Sequence, residues 1–206
     1  MFIDEAHHTE ANSWNKIRNL FTGKYIIQFT ATPFRNDNKK IDGKIIYTYP
    51  LKKAQEEGYF KPIKFEKIYE YNTKNKDRAL AEKGIEQLRI DKQNYAHILL
   101  ARVGTKKRAD EVFEIYNEYS PEFRVVKIYS GLGVRESKEI QRKIVGLEVD
   151  IIVCVDMLGE GFDLPNLKIA VFHDIRQSLP ITLQFVGRFT RTSYDAELGD
   201  ATIIAN

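Results

Sequence analysis

Cysteine is almost missing from this chain. One residue, Cys154, stands among 206. An internal disulfide is therefore excluded, and a reducing cytoplasm is the expected setting. Long hydrophobic runs are missing too. No apolar stretch approaches the roughly 18 residues that span a bilayer, so no membrane partner is expected. Met1 leads straight into Phe2-Ile3-Asp4-Glu5 without a basic segment and an apolar core, so no secretory leader is expected in this sequence. His8, His97 and His173 have no zinc-like spacing with the lone cysteine or with other histidines. There is little charge of one sign: 32 basic and 29 acidic residues leave a net +3, which permits a nucleic-acid partner without demanding one. Repeats with a period of 20 to 50 residues and low-complexity tracts are absent as well.

What is present is a soluble composition, 43% hydrophobic and 30% charged. Strand-like and helix-like segments alternate. Tyr25 to Thr30, His97 to Ala101, Arg124 to Tyr129, Asp150 to Val155 and Ile169 to Phe172 are continuous apolar runs. Runs of this kind suit parallel strands covered on both faces. Lys106 to Tyr119 sets Ala109, Val112, Phe113, Tyr116 and Tyr119 three or four apart, which predicts one apolar helix face. Ile140 and Ile144 do the same within Glu136 to Val145. The alternation predicts an α/β fold with right-handed crossovers. A boundary is expected near Gly58 to Pro62, with a short helix at Leu51 to Glu57 before it. An extended segment at Ile63 to Tyr71 and a charged helix near Lys76 to Gln93 follow. Cys154, inside an apolar strand, reads as core.

Four short segments carry chemistry. Asp4-Glu5-Ala6-His7 follows a strand-like start, where a carboxylate can hold Mg²⁺ through its water shell and a second can polarise an attacking water. Thr30-Ala31-Thr32-Pro33 places two hydroxyls just past a strand. Gly159-Glu160-Gly161-Phe162-Asp163 follows another strand, where glycines let backbone approach a ligand closely. Gln184 to Arg191 reads as a helix with Arg188 and Arg191 on one face, suited to gripping a triphosphate. Each segment taken alone has a bland reading as a turn or a solvated helix face.

In this order the four segments resemble motifs II, III, V and VI of the superfamily-two helicases and translocases. Phe29 to Asn36, with Tyr47 to Pro62, resembles the branch that holds restriction-enzyme translocating subunits and excision-repair helicases. The resemblance implies a RecA-like parallel sheet with helices on both faces, ATP and Mg²⁺ as cofactors, and DNA as track, with RNA the alternative. It assigns Asp4 to the metal, Glu5 to the water, and Arg188 and Arg191 to the γ-phosphate, Arg191 as the finger. Gly161, Asp163 and Gln184 fall at the nucleotide. His7, Thr30 and Thr32 would couple that site to the rest of the motor. His97 to Lys107 and Ile128 to Gly131 resemble the nucleic-acid contacts of the second motor domain, at Arg102, Thr105, Ser130 and Gly131.

One family element is not found. A phosphate loop needs Gly-x-x-x-x-Gly-Lys followed by Ser or Thr. The Gly-Lys pairs here are followed by Tyr25 and Ile45, and neither has the leading glycine. The expected organisation is therefore the back part of a first RecA-like domain, 1–62, and a complete second one, 63–206. The chain alone is expected to hydrolyse ATP negligibly, unless an upstream segment or a partner chain supplies the loop. The competing reading is a non-catalytic module that binds nucleic acid or a partner protein.

Overall fold

The computed structural model describes residues 1–4, 6, 12–30, 43–59, 63–155, 164–174 and 198–206, the side chains of 12–15, 51, 73 and 74 excepted. It divides into two compact units. Among the described residues, 1–49 belong to the first and 50–174 with 198–206 to the second. The division falls ahead of the turn at Gly58, because α2 (Leu51–Glu56) belongs to the second unit.

In the first unit, β1 (Phe2–Ile3) and β2 (Ile27–Gln28) pair in parallel, Phe2 with Ile27 and Ile3 with Gln28. Helix α1 (Asn12–Asn19) lies between them in the chain. The Phe29 N–H donates to the Ile3 carbonyl at 2.8 Å, and the Ala6 N–H to the Phe29 carbonyl at 2.9 Å. The buried strand expected over Tyr25 to Thr30 is shorter and more open. Only Ile27–Gln28 is strand, half-buried, and Tyr25 and Phe29 are exposed. Two strands make too narrow a sheet to cover both of their faces.

Among the described residues, the second unit has six strands: β3 (Ile63–Lys67), β4 (Ile98–Val103), β5 (Val125–Ile128), β6 (Ile151–Val155), β7 (Leu167–Phe172) and β8 (Ala201–Ala205). They run parallel in the order β3-β8-β7-β4-β6-β5. Alternation along each strand divides the core. Leu99, Ala101, Val103, Ile151, Val153, Ile169 and Val171 pack with Leu80, Ile85 and Leu88 of α3 (Thr73–Asp91) and with Ala109, Val112 and Tyr116 of α4 (Lys106–Tyr119). Ile98, Leu100, Ile152, Cys154 and Ala170 point the other way, to Ile144 of α5 (Val134–Val145). Burying both faces is why these strands are apolar throughout.

Crossovers through α3 and α4 move the chain one way across the sheet. The α5 crossover moves it back on the opposite face, as right-handed connections require. Gly84 lets α3 approach closely, since a Cβ there would lie 2.7 Å from Val171 and 2.9 Å from Leu99. Pairing of β4 with β7 skips Lys168, so Ile98 faces Leu167 and Leu99 faces Ile169. That bulge gives β7 an extra residue at its amino end.

Candidate nucleic-acid interface

From β4 the chain leaves toward β5, and from its neighbour β7 it leaves in the opposite direction toward β8. Such a reversal opens a crevice at the carboxyl ends of the two strands, the usual ligand position of an open α/β sheet. Here it lies between Gly104-Thr105, after β4, and His173-Asp174, after β7.

A polar network ties this crevice together. The Gly104 N–H donates to Asp174 Oδ2 at 2.7 Å. Arg108 spans from Asp174 Oδ1 at 3.3 Å to Asp77 Oδ1 at 2.8 Å on α3. Burial works to lower the Arg108 pKa, but its bonds to Asp77 and Glu111 outweigh this and raise it, so the guanidinium stays charged. Burial pushes the Asp77 carboxyl up, and hydrogen bonds from His173 and Arg108 bring it below its ordinary range. His173 is fully enclosed, and burial lowers its pKa against the pull of Asp77. A neutral ring satisfies both neighbours: Nδ1–H donates to Asp77 at 3.0 Å, and Nε2 accepts from the Tyr116 hydroxyl at 3.2 Å. Burial, then the charge of Asp77, holds the Tyr116 hydroxyl well above its usual pKa, so it keeps the proton it donates.

The rim outside this network is small and cationic. Thr105 caps α4, its hydroxyl accepting from the Arg108 N–H at 3.3 Å. Lys106 reaches from the first turn of α4 to the turn after β5. Its ammonium lies 5.8 Å from the Tyr129 ring centroid and 2.8 Å from where a Cβ on Gly131 would stand. Gly131 has φ +97, so this turn needs glycine both for its backbone and for the lysine above it. Lys106 thus brings the Thr105 turn and the exposed Ser130-Gly131 turn onto one rim.

Arg102 lies elsewhere. It is 4% exposed, and Nη1 donates to the Asp174 carbonyl at 2.9 Å. The structure places it behind the rim as a support for the crevice, because β4 is buried along its whole length. In the first unit, exposed Asp4 follows β1 and half-buried Thr30 follows β2 at the same carboxyl edge. Glu5, His7, Thr32, Gly161, Asp163, Gln184, Arg188 and Arg191 lie outside the described residues. Lys106, Asp77 and Asp174 were not singled out from the sequence. Asp174 had a usable signal, a carboxylate two residues past an apolar strand, whereas Asp77 on a charged helix had none.

The chain is similar to known proteins in sequence and in fold. The model of the Helicase conserved C-terminal domain matches residues 80–193, and that of the SWI2/SNF2 ATPase matches residues 1–97. The UvrABC system protein B of Fervidobacterium nodosum is 30% identical over 97 residues, which are 45% of this chain and 14% of that protein. A structure of a fragment assigned as an HsdR subunit of a type I restriction enzyme, from Vibrio vulnificus YJ016, superposes with TM-score 0.71 at 23% identity. It covers 95% of this chain and 42% of that one. Domain 2 of the DEAD-box helicase Mss116p, solved bound to an RNA duplex, superposes with TM-score 0.52 at 16% identity, over 69% of this chain and 52% of that one. The matched stretch is thus a minor part of the curated relative and less than half of the HsdR fragment. The six-stranded parallel sheet is a RecA-like domain, and with the helicase C-terminal model running from α3 past the crevice, the chain belongs to the superfamily-two helicases.

Proposed function

We propose that this chain is part of an ATP-dependent motor that moves on DNA, made of the back part of a first RecA-like domain, 1–62, and a second one, 63–206, with the track crossing the carboxyl edge of the second sheet. The observation that carries this reading is the rim itself. Lys106, the Thr105 cap and the Ser130-Gly131 turn present a cation, hydroxyls and backbone at the edge where open α/β sheets take ligands. DNA is preferred because Phe29 to Asn36, with Tyr47 to Pro62, resembles the branch that holds restriction-enzyme translocating subunits; RNA is the second reading, supported by the Mss116p likeness.

Exposed Asp4 is a hard oxygen donor, which suits Mg²⁺ with its retained waters. Glu5 would hold the attacking water. Arg188 and Arg191 would meet the γ-phosphate, with Gly161, Asp163 and Gln184 at the nucleotide and His7, Thr30 and Thr32 relaying its state. The metal, when bound, would neutralise phosphate charge. Arg102 acts as a positioning residue for the Gly104-Thr105 turn, not as a contact.

Two measurements test the proposal. Lys106→Glu should weaken binding of a labelled DNA duplex at least about tenfold at low salt, since it replaces an attraction with a repulsion. Unchanged affinity would remove the rim from the track. The chain alone should show negligible ATP turnover with or without DNA. Stimulated turnover that Arg191→Ala abolishes would show that another segment holds the phosphates.

A further inference from the structure

The segment Phe65 to Tyr71 takes no part in the site above. It begins in β3, the edge strand of the sheet among the described residues. Beyond β3 the chain stays extended: the Ile68 N–H donates to the Ala205 carbonyl at 2.8 Å, and the Glu70 backbone exchanges hydrogen bonds with the Asn206 side chain at 3.3 and 2.8 Å. Side chains therefore keep alternating. Ile68 turns inward against the α3 and α4 core. Glu66 lies on Lys64 at 2.5 Å and Lys83 at 3.4 Å, and the Glu70 carboxylate takes the Asn72 N–H at 2.7 Å. The odd positions face water instead: Phe65 is 63% exposed, Tyr69 68% and Tyr71 90%. Exposed Lys67 stands among them, its ammonium 4.7 Å from the Tyr69 ring centroid.

Three aromatic rings in one row are an apolar surface of a particular kind. Alternate residues of a strand are about 6.6 Å apart, so the row runs about 20 Å. It ends at the carboxyl edge of the sheet, which also carries Thr105 and Gly131, three strands from β4 or about 14 Å. Its one ionised side chain is a cation, the two carboxylates of the segment are turned away, and the first turn of α3 carries none. An interleaved row of rings and positive charge, backed by β3 and by the hydrogen bonds of Ile68 and Glu70 beyond it, suits stacked bases with phosphates alongside. A protein partner would want a more continuous apolar patch without a cation at its middle.

We propose that Phe65, Lys67, Tyr69 and Tyr71 form a stacking ladder for single-stranded nucleic acid, extending the track from the rim to the free edge of the second unit. The proposal rests on the reading of the rim as a nucleic-acid contact, and the test separates the two. Binding of a labelled oligothymidine of roughly a dozen nucleotides, and of a duplex, is measured by fluorescence anisotropy. The proteins are the wild-type chain, Tyr69→Ala/Tyr71→Ala, Tyr69→Trp/Tyr71→Trp, Tyr69→Leu/Tyr71→Leu and Lys106→Glu. Both tyrosines are surface side chains beyond the strand, and unchanged thermal midpoints verify that the variants fold.

The alanine and leucine pairs should bind the single strand at least about tenfold more weakly, the tryptophan pair should match wild type, and duplex binding should not change. If the alanine pair binds the single strand like wild type while Lys106→Glu does not, the ladder falls and the rim stands. If leucine restores affinity, the row is a general apolar docking surface and stacking is wrong. If wild type binds duplex but no single strand, the ladder is overturned and the rim is untouched; if it binds neither, both readings fail.

Discussion

Asp150 opens β6 and holds three parts of the second unit together. Its Oδ2 accepts from the Arg124 Nε at 2.9 Å and from the Arg124 backbone N–H at 3.0 Å, and Oδ1 meets the Lys92 ammonium at the end of α3. The side chain is 8% exposed. Burial pushes this carboxyl up, but its bonds with Arg124 and Lys92 dominate and bring it from an ordinary 3.8 down to about 2. A folded pKa below the unfolded one means that the unfolded chain binds the proton more readily. The stabilisation is complete above the unfolded pKa and fades as pH falls through the folded one. A difference of nearly two units corresponds to about 2 kcal/mol at neutral pH, about 1 at pH 3 and well under 1 at pH 2. Asp150→Asn mimics the protonated acid. Urea unfolding followed by far-ultraviolet circular dichroism should therefore place the variant about 2 kcal/mol below wild type at pH 7, with the gap about halved by pH 3. A gap that stays constant over this range would show that the loss comes from shape or hydrogen bonding, and the ion-pair reasoning would be refuted.

Three further outcomes can be checked in the same way. Gly84→Ala should destabilise by about 1–2 kcal/mol in urea, because overpacking against Val171 and Leu99 outweighs the helix propensity that alanine adds; a more stable variant would show that α3 can move off the sheet. His173 is held neutral by burial, so its folded pKa lies below the ordinary 6.5 and stability should fall as pH drops from 7 toward 5; His173→Asn should flatten that slope, and an unchanged slope would point to another group. Trp14 is the sole tryptophan and belongs to the first unit, whose described sheet has two strands. Its fluorescence should change at lower urea than the circular dichroism does, and coincident transitions would show one cooperative unit.

Much of the second unit was legible because its signals are local. The helix Lys106–Tyr119 follows directly from its apolar spacing, and Ala109, Val112 and Tyr116 are buried as that spacing requires. The strands at β4, β5, β6 and β7 are the continuous apolar runs, and Cys154 is core. β8 went unread, since its apolar core is only Ile203-Ile204-Ala205, too short a run to stand out as a strand. Arg102, singled out by its resemblance to a nucleic-acid contact, is buried, because the Asp174 carbonyl accepts its guanidinium and lets β4 stay in the core past it. The network of Asp77, His173 and Tyr116 could not be read at all, because its members are far apart in sequence and meet only when α3 and α4 lie on the same face. The first-unit strand was overread because an apolar run does not reveal how many neighbours its sheet will have.

The strand order also sets a schedule for folding. β3 has a single neighbour among the described strands, and that neighbour is β8, at residues 201–205. While the chain is being made, β3 emerges early and waits for nearly the whole unit before anything can pair with it. Its free edge is open during that interval, and the loop to be closed is among the longest in the domain. The exposed lysines Lys64 and Lys67 then act as guards, discouraging a second nascent copy from adding a strand before β8 arrives. Among the described strands of this unit, the latest in sequence is therefore the one that pairs with the earliest.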